Sequence, residues 1–194
     1  NGCTYAPASV TITAPSALGG SGAATSYNGS TISCAGLTDG EITVTANGGT
    51  GALTYSINGD AYQSSNVFGS LAVGTYTLSV KDANGCMQNG SVTIEQPTPL
   101  VAVDSHIDVK CYNGSTGSVK VDVSGGTAPY IITINGEVFD GATATLHNLA
   151  AGTYTWTVTD DNGCTTNGSE TVGQPSSLPS ANLTINKDSD CDDN

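Results

Sequence analysis

The sequence has very little positive charge. It contains no arginine and four lysines against 17 aspartate and glutamate residues, which gives a formal net charge of −13 at pH 7. Binding to a nucleic-acid backbone depends on cationic side chains that displace counterions, so we expect no nucleic-acid partner. No apolar run approaches the roughly 20 residues of a membrane-spanning helix, so we expect no membrane insertion. Cations are the partners that such a negative field favours.

The sequence also lacks the residue pairs that catalysis requires. Its two histidines, His106 and His147, fall on different predicted strands, with no serine motif and no carboxylate pair in register with them. No two cysteines are spaced as Cys-x-x-Cys, which disfavours a zinc or redox site. We therefore expect that the chain is not an enzyme and that it needs no cofactor.

The sequence does contain a motif that occurs twice. Residues 71–86 and residues 149–164 both begin with Leu-x-x-Gly-Thr-Tyr and both end with Asp-x-Asn-Gly-Cys. Between these ends apolar and polar residues alternate, which is typical of a β-strand with one buried face. The Asn-Gly pair supplies the positive φ angles of a tight turn. The alternation predicts core positions at Tyr76, Leu78, Val80, Tyr154, Trp156 and Val158.

This motif belongs to a longer internal duplication. Leu100 aligns with Leu178, each shortly after a Gln-Pro pair, so the repeat is about 78 residues long. The two ends of the chain resemble parts of the same repeat, which predicts a longer tandem array. The predicted divisions are residues 1–17 (the last strand of a preceding repeat), 18–99 (the first repeat), 100–177 (the second repeat) and 178–194 (the first strand of a following repeat).

We predict about seven strands in each repeat, arranged as a β-sandwich. The Leu-x-x-Gly-x-Tyr segment resembles the tyrosine corner of immunoglobulin-like domains. Two sheets with one apolar face each bury a common core between them. The predicted fold class is therefore all-β, with tandem immunoglobulin-like β-sandwich repeats of about 80 residues. In the second repeat the predicted strands are A within residues 100–110, B at 118–123, C at 130–134, short C′ or D and E strands through 145–149, F at 153–159 and G at 166–172.

The order of motifs resembles a known family. Each repeat carries Cys-x-x-x-x-x-Gly, a strand, Gly-Gly-Thr, Asn-Gly, Leu-x-x-Gly-Thr-Tyr, Asp-x-Asn-Gly-Cys and Gln-Pro. This order is similar to that of the SprB repeat, over residues 34–100 and 111–178. The resemblance implies a secreted cell-surface protein of many tandem β-sandwiches, exported by type IX secretion and used in adhesion or gliding motility. One departure is Ala52-Leu53, which stands where the second repeat has Pro129-Tyr130.

Six cysteines in a turn-rich β-protein indicate structural disulfides and an oxidising, extracellular setting. In the predicted topology Cys34 and Cys111 follow strand A, whereas Cys86 and Cys164 follow the turn between strands F and G at the opposite end. Strands of about seven residues separate these ends by roughly 20 Å, and a disulfide needs Cα atoms within about 7 Å. We therefore favour Cys34–Cys164 across the repeat junction, with the in-repeat pairs Cys34–Cys86 and Cys111–Cys164 as the rival. The candidate disulfide cysteines are Cys3, Cys34, Cys86, Cys111, Cys164 and Cys191.

Acidic residues gather near the same loops and offer an alternative role as metal ligands. Calcium takes six to eight oxygen ligands in proteins. The interpretation we favour is that these residues form turns and keep the protein soluble, because no complete Asp-x-Asp-x-Asp-Gly loop is present. The candidate calcium ligands are Asp39, Asp82, Asp160, Asp161, Asp188 and Asp190.

Three functional hypotheses remain open from the sequence. The first is a disulfide-stapled spacer in a bacterial surface adhesin, whose partners are neighbouring repeats of the same polypeptide. The second is a module that binds surface polysaccharide or another cell-surface protein, with exposed tyrosines such as Tyr62 and Tyr112 as contacts. The third is a filament subunit in which residues 1–18 complete the sheet of a neighbour.

Overall fold

The computed structural model describes residues 9–176 of the chain. Within that range it contains thirteen β-strands and no α-helix, so the all-β prediction is confirmed. The described residues therefore include no candidate transmembrane helix. Residues 9–25 and 40–94 form one compact unit. Residues 26–39, together with residues 95–176, form a second.

The first unit is a sandwich of two three-stranded antiparallel sheets. One sheet has the strand order β1-β2-β4 and the other β3-β5-β6. The strands β5 and β6 form the hairpin whose turn carries Asp-x-Asn-Gly, in register from Gly74 opposite Ile94 to Lys81 opposite Met87. The strands are β1 Gly19–Ala24, β2 Gly40–Asn47, β3 Thr54–Ile57, β4 Val67–Leu71, β5 Gly74–Lys81 and β6 Met87–Ile94.

The second unit is a sandwich of seven strands. A three-stranded sheet has the order β11-β8-β7, and a four-stranded sheet has the order β10-β9-β12-β13. This arrangement is the immunoglobulin-like sandwich expected from the sequence. Strand β7, Val101–Ile107, lies within the range predicted for strand A, residues 100–110. The strands are β7 Val101–Ile107, β8 Gly117–Ser124, β9 Tyr130–Ile134, β10 Glu137–Asp140, β11 Thr143–Leu149, β12 Gly152–Asp160 and β13 Thr165–Val172.

The inward faces of both sheets of the second unit meet in one hydrophobic core. It is built from alternate residues of the paired strands, because successive side chains of a strand point to opposite faces. The side chain of Val158 on β12 is fully buried there. The buried members are Val109, Val119, Val121, Ile132, Ile134, Ala144, Leu146, Leu149, Trp156, Val158 and Val172.

Two of the predicted core residues lie at the edge of the core. Tyr76 and Tyr154 are half-buried, and each hydroxyl donates a hydrogen bond to a backbone carbonyl four residues earlier. The acceptor is Ala72 O at 2.9 Å in the first unit and Ala150 O at 3.0 Å in the second. These are the tyrosine corners that the Leu-x-x-Gly-Thr-Tyr motif predicts. The remaining predicted core residues are buried, namely Leu78, Val80, Trp156 and Val158.

Residues 26–39, which we call the A–B loop, fall in the second unit, whereas the repeat boundaries placed them in the domain at residues 18–99. The side chain of Ile32 is fully buried, and its N–H donates to Glu95 O at 3.0 Å. The side-chain oxygen of Gln96 accepts the N–H of Gly36 at 2.9 Å. These contacts hold the loop on the segment that follows β6.

The second repeat shows why the Gln-Pro motif recurs. In its own loop between β7 and β8, the N–H of Val109 donates to Gly173 O at 2.9 Å. The N–H of Asn113 donates to the side-chain oxygen of Gln174, also at 2.9 Å. Each glutamine therefore anchors the loop that follows the first strand of its repeat, a role that spacing alone did not reveal.

Candidate functional site

The turn between β12 and β13, residues 160–164, is organised around the carboxylate of Asp160. We call this segment, and residues 82–86 in the first repeat, the F–G turns. One carboxylate oxygen of Asp160 accepts the N–H of Thr127 at 2.8 Å. The other accepts the N–H groups of Asn162 at 3.0 Å and Cys164 at 2.8 Å. The side chain is buried, so these three donors replace the water it would otherwise bind.

The first repeat builds the same turn around Asp82. Its carboxylate accepts the N–H of Thr50 at 2.9 Å, of Asn84 at 2.9 Å and of Cys86 at 2.8 Å. The N–H of Thr50 is the main reason that the pKa of the Asp82 carboxyl lies below its ordinary value of 3.8. The N–H groups of Cys86, Asn84 and Gly85 lower the pKa further, whereas burial acts in the opposite direction.

The Gly-Gly-Thr motif delivers the third donor to each turn. In the second repeat, Gly126 has a φ of +59°, and a Cβ there would lie 2.7 Å from a carboxylate oxygen of Asp160. A larger residue would therefore push the loop away from the turn and separate Thr127 from the carboxylate. Glycine is required at this position both by the backbone conformation and by the close approach.

A disulfide joins Cys34 of the A–B loop to Cys164 of the second F–G turn, with the Cα atoms 5.7 Å apart. This is the pairing that the predicted strand geometry favoured, and it rules out the rival pairs Cys34–Cys86 and Cys111–Cys164. Both bonded residues belong to the second compact unit, although Cys34 lies in the first sequence repeat.

Hydrogen bonds surround this disulfide. The side-chain amide of Asn162 donates to Ser33 O at 3.1 Å. The side-chain amide of Asn28 donates to the Asp161 carboxylate at 2.6 Å and to the side-chain oxygen of Asn162 at 3.0 Å. Asn28 has a φ of 46°, the left-handed conformation that asparagine tolerates. The loop is therefore held on the turn by polar contacts on either side of the covalent bond.

The other cysteines have different states. Cys86 is a free, exposed thiol, and Cys111 is disulfide-bonded. The remaining candidates, Cys3 and Cys191, lie outside the described residues.

The acidic side chains bind protein donors, and the described residues do not bring them together as a metal site. No group of three or more His, Cys, Asp or Glu side chains within residues 9–176 is placed to hold a metal ion. Asp39 accepts hydrogen bonds from the N–H and the hydroxyl of Ser33. Asp82, Asp160 and Asp161 bind the groups described above. The candidates Asp188 and Asp190 lie outside the described residues.

Trp156 makes a polar contact that the sequence did not predict. Its indole N–H donates to the Asp104 carboxylate at 2.7 Å, which links β12 of one sheet to β7 of the other. In the first repeat the aligned residues are Leu78 and Gly22. A buried indole needs a partner for its N–H, whereas Leu78 in the first repeat has no group that requires one.

The tyrosines considered as ligand contacts, Tyr62 and Tyr112, and the two histidines do not take part in the contacts of the F–G turns described above. Tyr62 shares a hydrogen bond of 2.7 Å with the Ser79 hydroxyl, and the Lys81 ammonium lies 4.0 Å from its ring centroid. Beside Tyr62 is a groove of about 360 Å³ whose polar lining includes Ser56, Thr77 and Asn89. Tyr112 and His147 are exposed, and His106 contacts the carboxylates of Glu170 and Asp108.

The architecture defines the class of this chain as a pair of immunoglobulin-like β-sandwich units. The model of the SprB repeat family matches the chain at two regions, residues 26–61 and 107–139. The resemblance predicted from the order of motifs is thereby confirmed. No curated protein sequence matches the chain.

Several solved structures are similar in part. The S-layer protein rSbsC(31-844) is 19% identical with a TM-score of 0.33, covering 74% of this chain and 24% of that one. Domains 4 and 5 of SbsC are 18% identical with a TM-score of 0.32, covering 70% and 82%. A structure of Dscam concerned with isoform specificity is 13% identical with a TM-score of 0.31, covering 70% and 41%. The chain thus spans less than half the length of the Dscam and rSbsC(31-844) chains.

Proposed function

We propose that this chain is a non-enzymatic spacer segment of a bacterial cell-surface adhesin, built from tandem repeats and acting outside the cell in adhesion or gliding motility. The observation that carries the proposal is the Cys34–Cys164 disulfide, which joins cysteines 130 residues apart in the chain. Its partners are neighbouring repeats of the same polypeptide. The SprB repeat matches support the surface location.

The covalent connectivity suits a chain that carries tension. A force applied through residues before Cys34 and after Cys164 passes through the disulfide. The segment between the two cysteines is therefore excluded from extension, and it includes every strand from β2 to β12. A reversible hydrogen-bonded contact would instead open under load, and the repeats would lengthen one after another.

Single-molecule stretching of the full chain tests this proposal. The sequence separation of 130 between the two cysteines corresponds to about 450 Å of extended polypeptide at roughly 3.5 Å per residue. We expect the total extension to increase by that length when a reductant is added. A Cys86→Ser variant is the matched control and should behave as the unmodified chain. Full extension without a reductant would overturn the spacer proposal.

Electron microscopy of the native protein released from cells tests the surrounding assembly. Thin single strings whose length matches one very large polypeptide agree with a tandem-repeat spacer. Regular filaments built from a short polypeptide would instead support a strand-exchanging subunit.

A second candidate function is recognition of surface polysaccharide, favoured by the groove beside Tyr62. An aromatic ring next to hydroxyl and amide groups is the combination that sugar recognition uses, because apolar and polar faces alternate on a pyranose. A glycan-binding assay with the full chain, with and without a chelator, tests this candidate. Loss of binding in Tyr62→Ala but not in Tyr112→Ala would support it, and no binding in either condition would exclude it.

A further inference from the structure

We infer that the F–G turn of the first repeat is a docking site for the A–B loop of a preceding SprB-type repeat, and that Cys86 forms a disulfide with the cysteine of that loop. This inference rests on the proposed tandem array and identifies the partner of one of its surfaces. It is carried by the comparison of the two F–G turns, because the turn of the second repeat binds the A–B loop in this structure.

The two turns are the same scaffold. The N–H of Asp82 donates to Cys86 O at 3.0 Å, and the N–H of Asp160 donates to Cys164 O at 3.0 Å. The next residue of each turn is fixed to the Gly-Gly-Thr loop, with the N–H of Ala83 on Thr50 O at 3.0 Å in the first repeat. The matching bond in the second repeat is 2.9 Å long. The carboxylate contacts described above agree within 0.1 Å.

The second turn shows what this scaffold binds. It holds a loop through the disulfide to Cys34 and through the Asn162 amide, which donates to the carbonyl just before that cysteine. In the first repeat Asn84 occupies the position of Asn162, and Cys86 occupies the position of Cys164. The groups that make both contacts are therefore present on the first turn, and residues 83–86 are exposed.

One contact of the second turn has no equivalent in the first. Asp161 accepts a hydrogen bond from Asn28 of the docked loop, and the aligned residue of the first repeat is Ala83. The loop that binds the first turn therefore needs no donor at the position of Asn28. Its required features are a cysteine and a backbone carbonyl immediately before it.

Among the described residues, the cysteine of each loop that follows a first strand already forms a disulfide. Cys34 is bonded to Cys164, and Cys111 is disulfide-bonded as well. In the observed bond the loop comes from the earlier repeat and the turn from the later one. The same direction assigns the partner of Cys86 to a repeat that precedes residue 18 in the parent polypeptide.

Forming the bond is a two-electron oxidation. The thiols of Cys86 and of the incoming loop cysteine lose two protons and two electrons and become one disulfide. A small-molecule or protein disulfide takes up the two protons and two electrons and is reduced to two thiols. Oxidised glutathione supplies this oxidant in the experiment below.

The test is a chain in which residues 18–99 are duplicated in tandem within the otherwise complete sequence. The upstream copy carries Cys86→Ser, so that the only Cys86 thiol is that of the downstream copy. The protein is folded with reduced and oxidised glutathione, alkylated and mapped as non-reduced peptides. In the original chain Cys86 should be fully alkylated. In the duplicated chain we expect the downstream Cys86 to escape alkylation. A peptide linking Cys86 to a Cys34 loop should then appear beside the Cys34–Cys164 peptide.

A control variant removes the cysteine from the upstream loop by Cys34→Ser, and Cys86 should then be alkylated as in the original chain. The inference is overturned if Cys86 stays alkylated while the Cys34–Cys164 peptide forms in full, or if Cys86 is linked to any cysteine outside a Cys34 loop. Stretching of the original chain does not involve Cys86. Failure of the spacer proposal is therefore distinguishable from failure of this inference.

Discussion

Gly168 on β13 lies directly opposite Trp156 on β12, and a Cβ at position 168 would be 2.4 Å from the indole ring. The aligned pair in the first repeat is Gly90 opposite Leu78, where a Cβ would meet no atom within 4 Å. The larger side chain at position 156 thus occupies the space that a side chain at position 168 would need.

The two glycines should therefore respond differently to the same substitution. We expect Gly168→Ala to lower the free energy of unfolding by about 1–3 kcal/mol, the usual cost of overpacking a core. Gly90→Ala should leave it unchanged or raise it by about 0.5 kcal/mol, because alanine restricts the unfolded chain. Denaturant unfolding of both variants measures the difference, and equal losses would contradict the steric explanation.

Asp160 should contribute strongly to the stability of the second unit. Both carboxylate oxygens accept backbone N–H groups. Asparagine removes the charge and places an NH2 group, which cannot accept these hydrogen bonds, where one of the oxygens was. We expect Asp160→Asn to lower the free energy of unfolding by about 1.5–3 kcal/mol. Asp140→Asn, at the exposed end of β10, is the control and should change it by less than about 0.5 kcal/mol. A similar small effect for both would show that the turn does not depend on the carboxylate.

Asp82 should make the first unit sensitive to acid. Its pKa is lower in the folded chain than the ordinary value of 3.8, so the unfolded chain takes up the proton first as the pH falls. The contribution of the Asp82 carboxylate to the free energy of unfolding is therefore complete above the pKa of this group in the unfolded chain. It is lost as the pH falls through the pKa of the group in the folded chain. Denaturant unfolding at several values between about pH 2 and 5 should show a shallower loss for Asp82→Asn than for the unmodified chain. Asp60→Asn, at an exposed carboxylate of the same unit, is the matched control for removing one acidic side chain.

The Cys34–Cys164 disulfide should stabilise the second unit against unfolding. Closing a long segment of chain restricts the unfolded state, so Cys34→Ser should lower the free energy of unfolding by about 2–4 kcal/mol. Cys86→Ser removes a thiol without removing a bond and should have no effect. Thermal or denaturant unfolding without a reductant compares the two variants. An unchanged stability in Cys34→Ser would mean that the non-covalent loop contacts alone hold Cys34 in place.

Much of the fold could be predicted from the sequence because the repeat provides two versions of each strand. The alternation at Leu78 and Val80 recurs at Trp156 and Val158, and the tyrosine corner marks the start of the same strand in both copies. The position of each cysteine at one end of a predicted strand was enough to favour Cys34–Cys164. These features are local, and they depend on spacing that the sequence displays directly.

Other features depend on contacts between distant residues and could not be predicted in this way. An aspartate before Asn-Gly-Cys is compatible with a calcium ligand or with a turn anchor. Only the approach of Thr127 to Asp160, and of Thr50 to Asp82, shows that backbone N–H groups take the carboxylate. The N–H of Ile32 likewise donates to Glu95 O, a contact between residues far apart in the sequence, so no local pattern assigned its loop to the second unit.

The placement of residues 26–39 in the second unit has a consequence for biosynthesis. A growing chain emerges with its amino end first, and domains generally fold in that order. The loop that completes the second unit is therefore made before that unit, and it is already present when β12 and β13 form. In the proposed tandem array, each new sandwich of this type would close onto a loop of the preceding repeat that has already been synthesised.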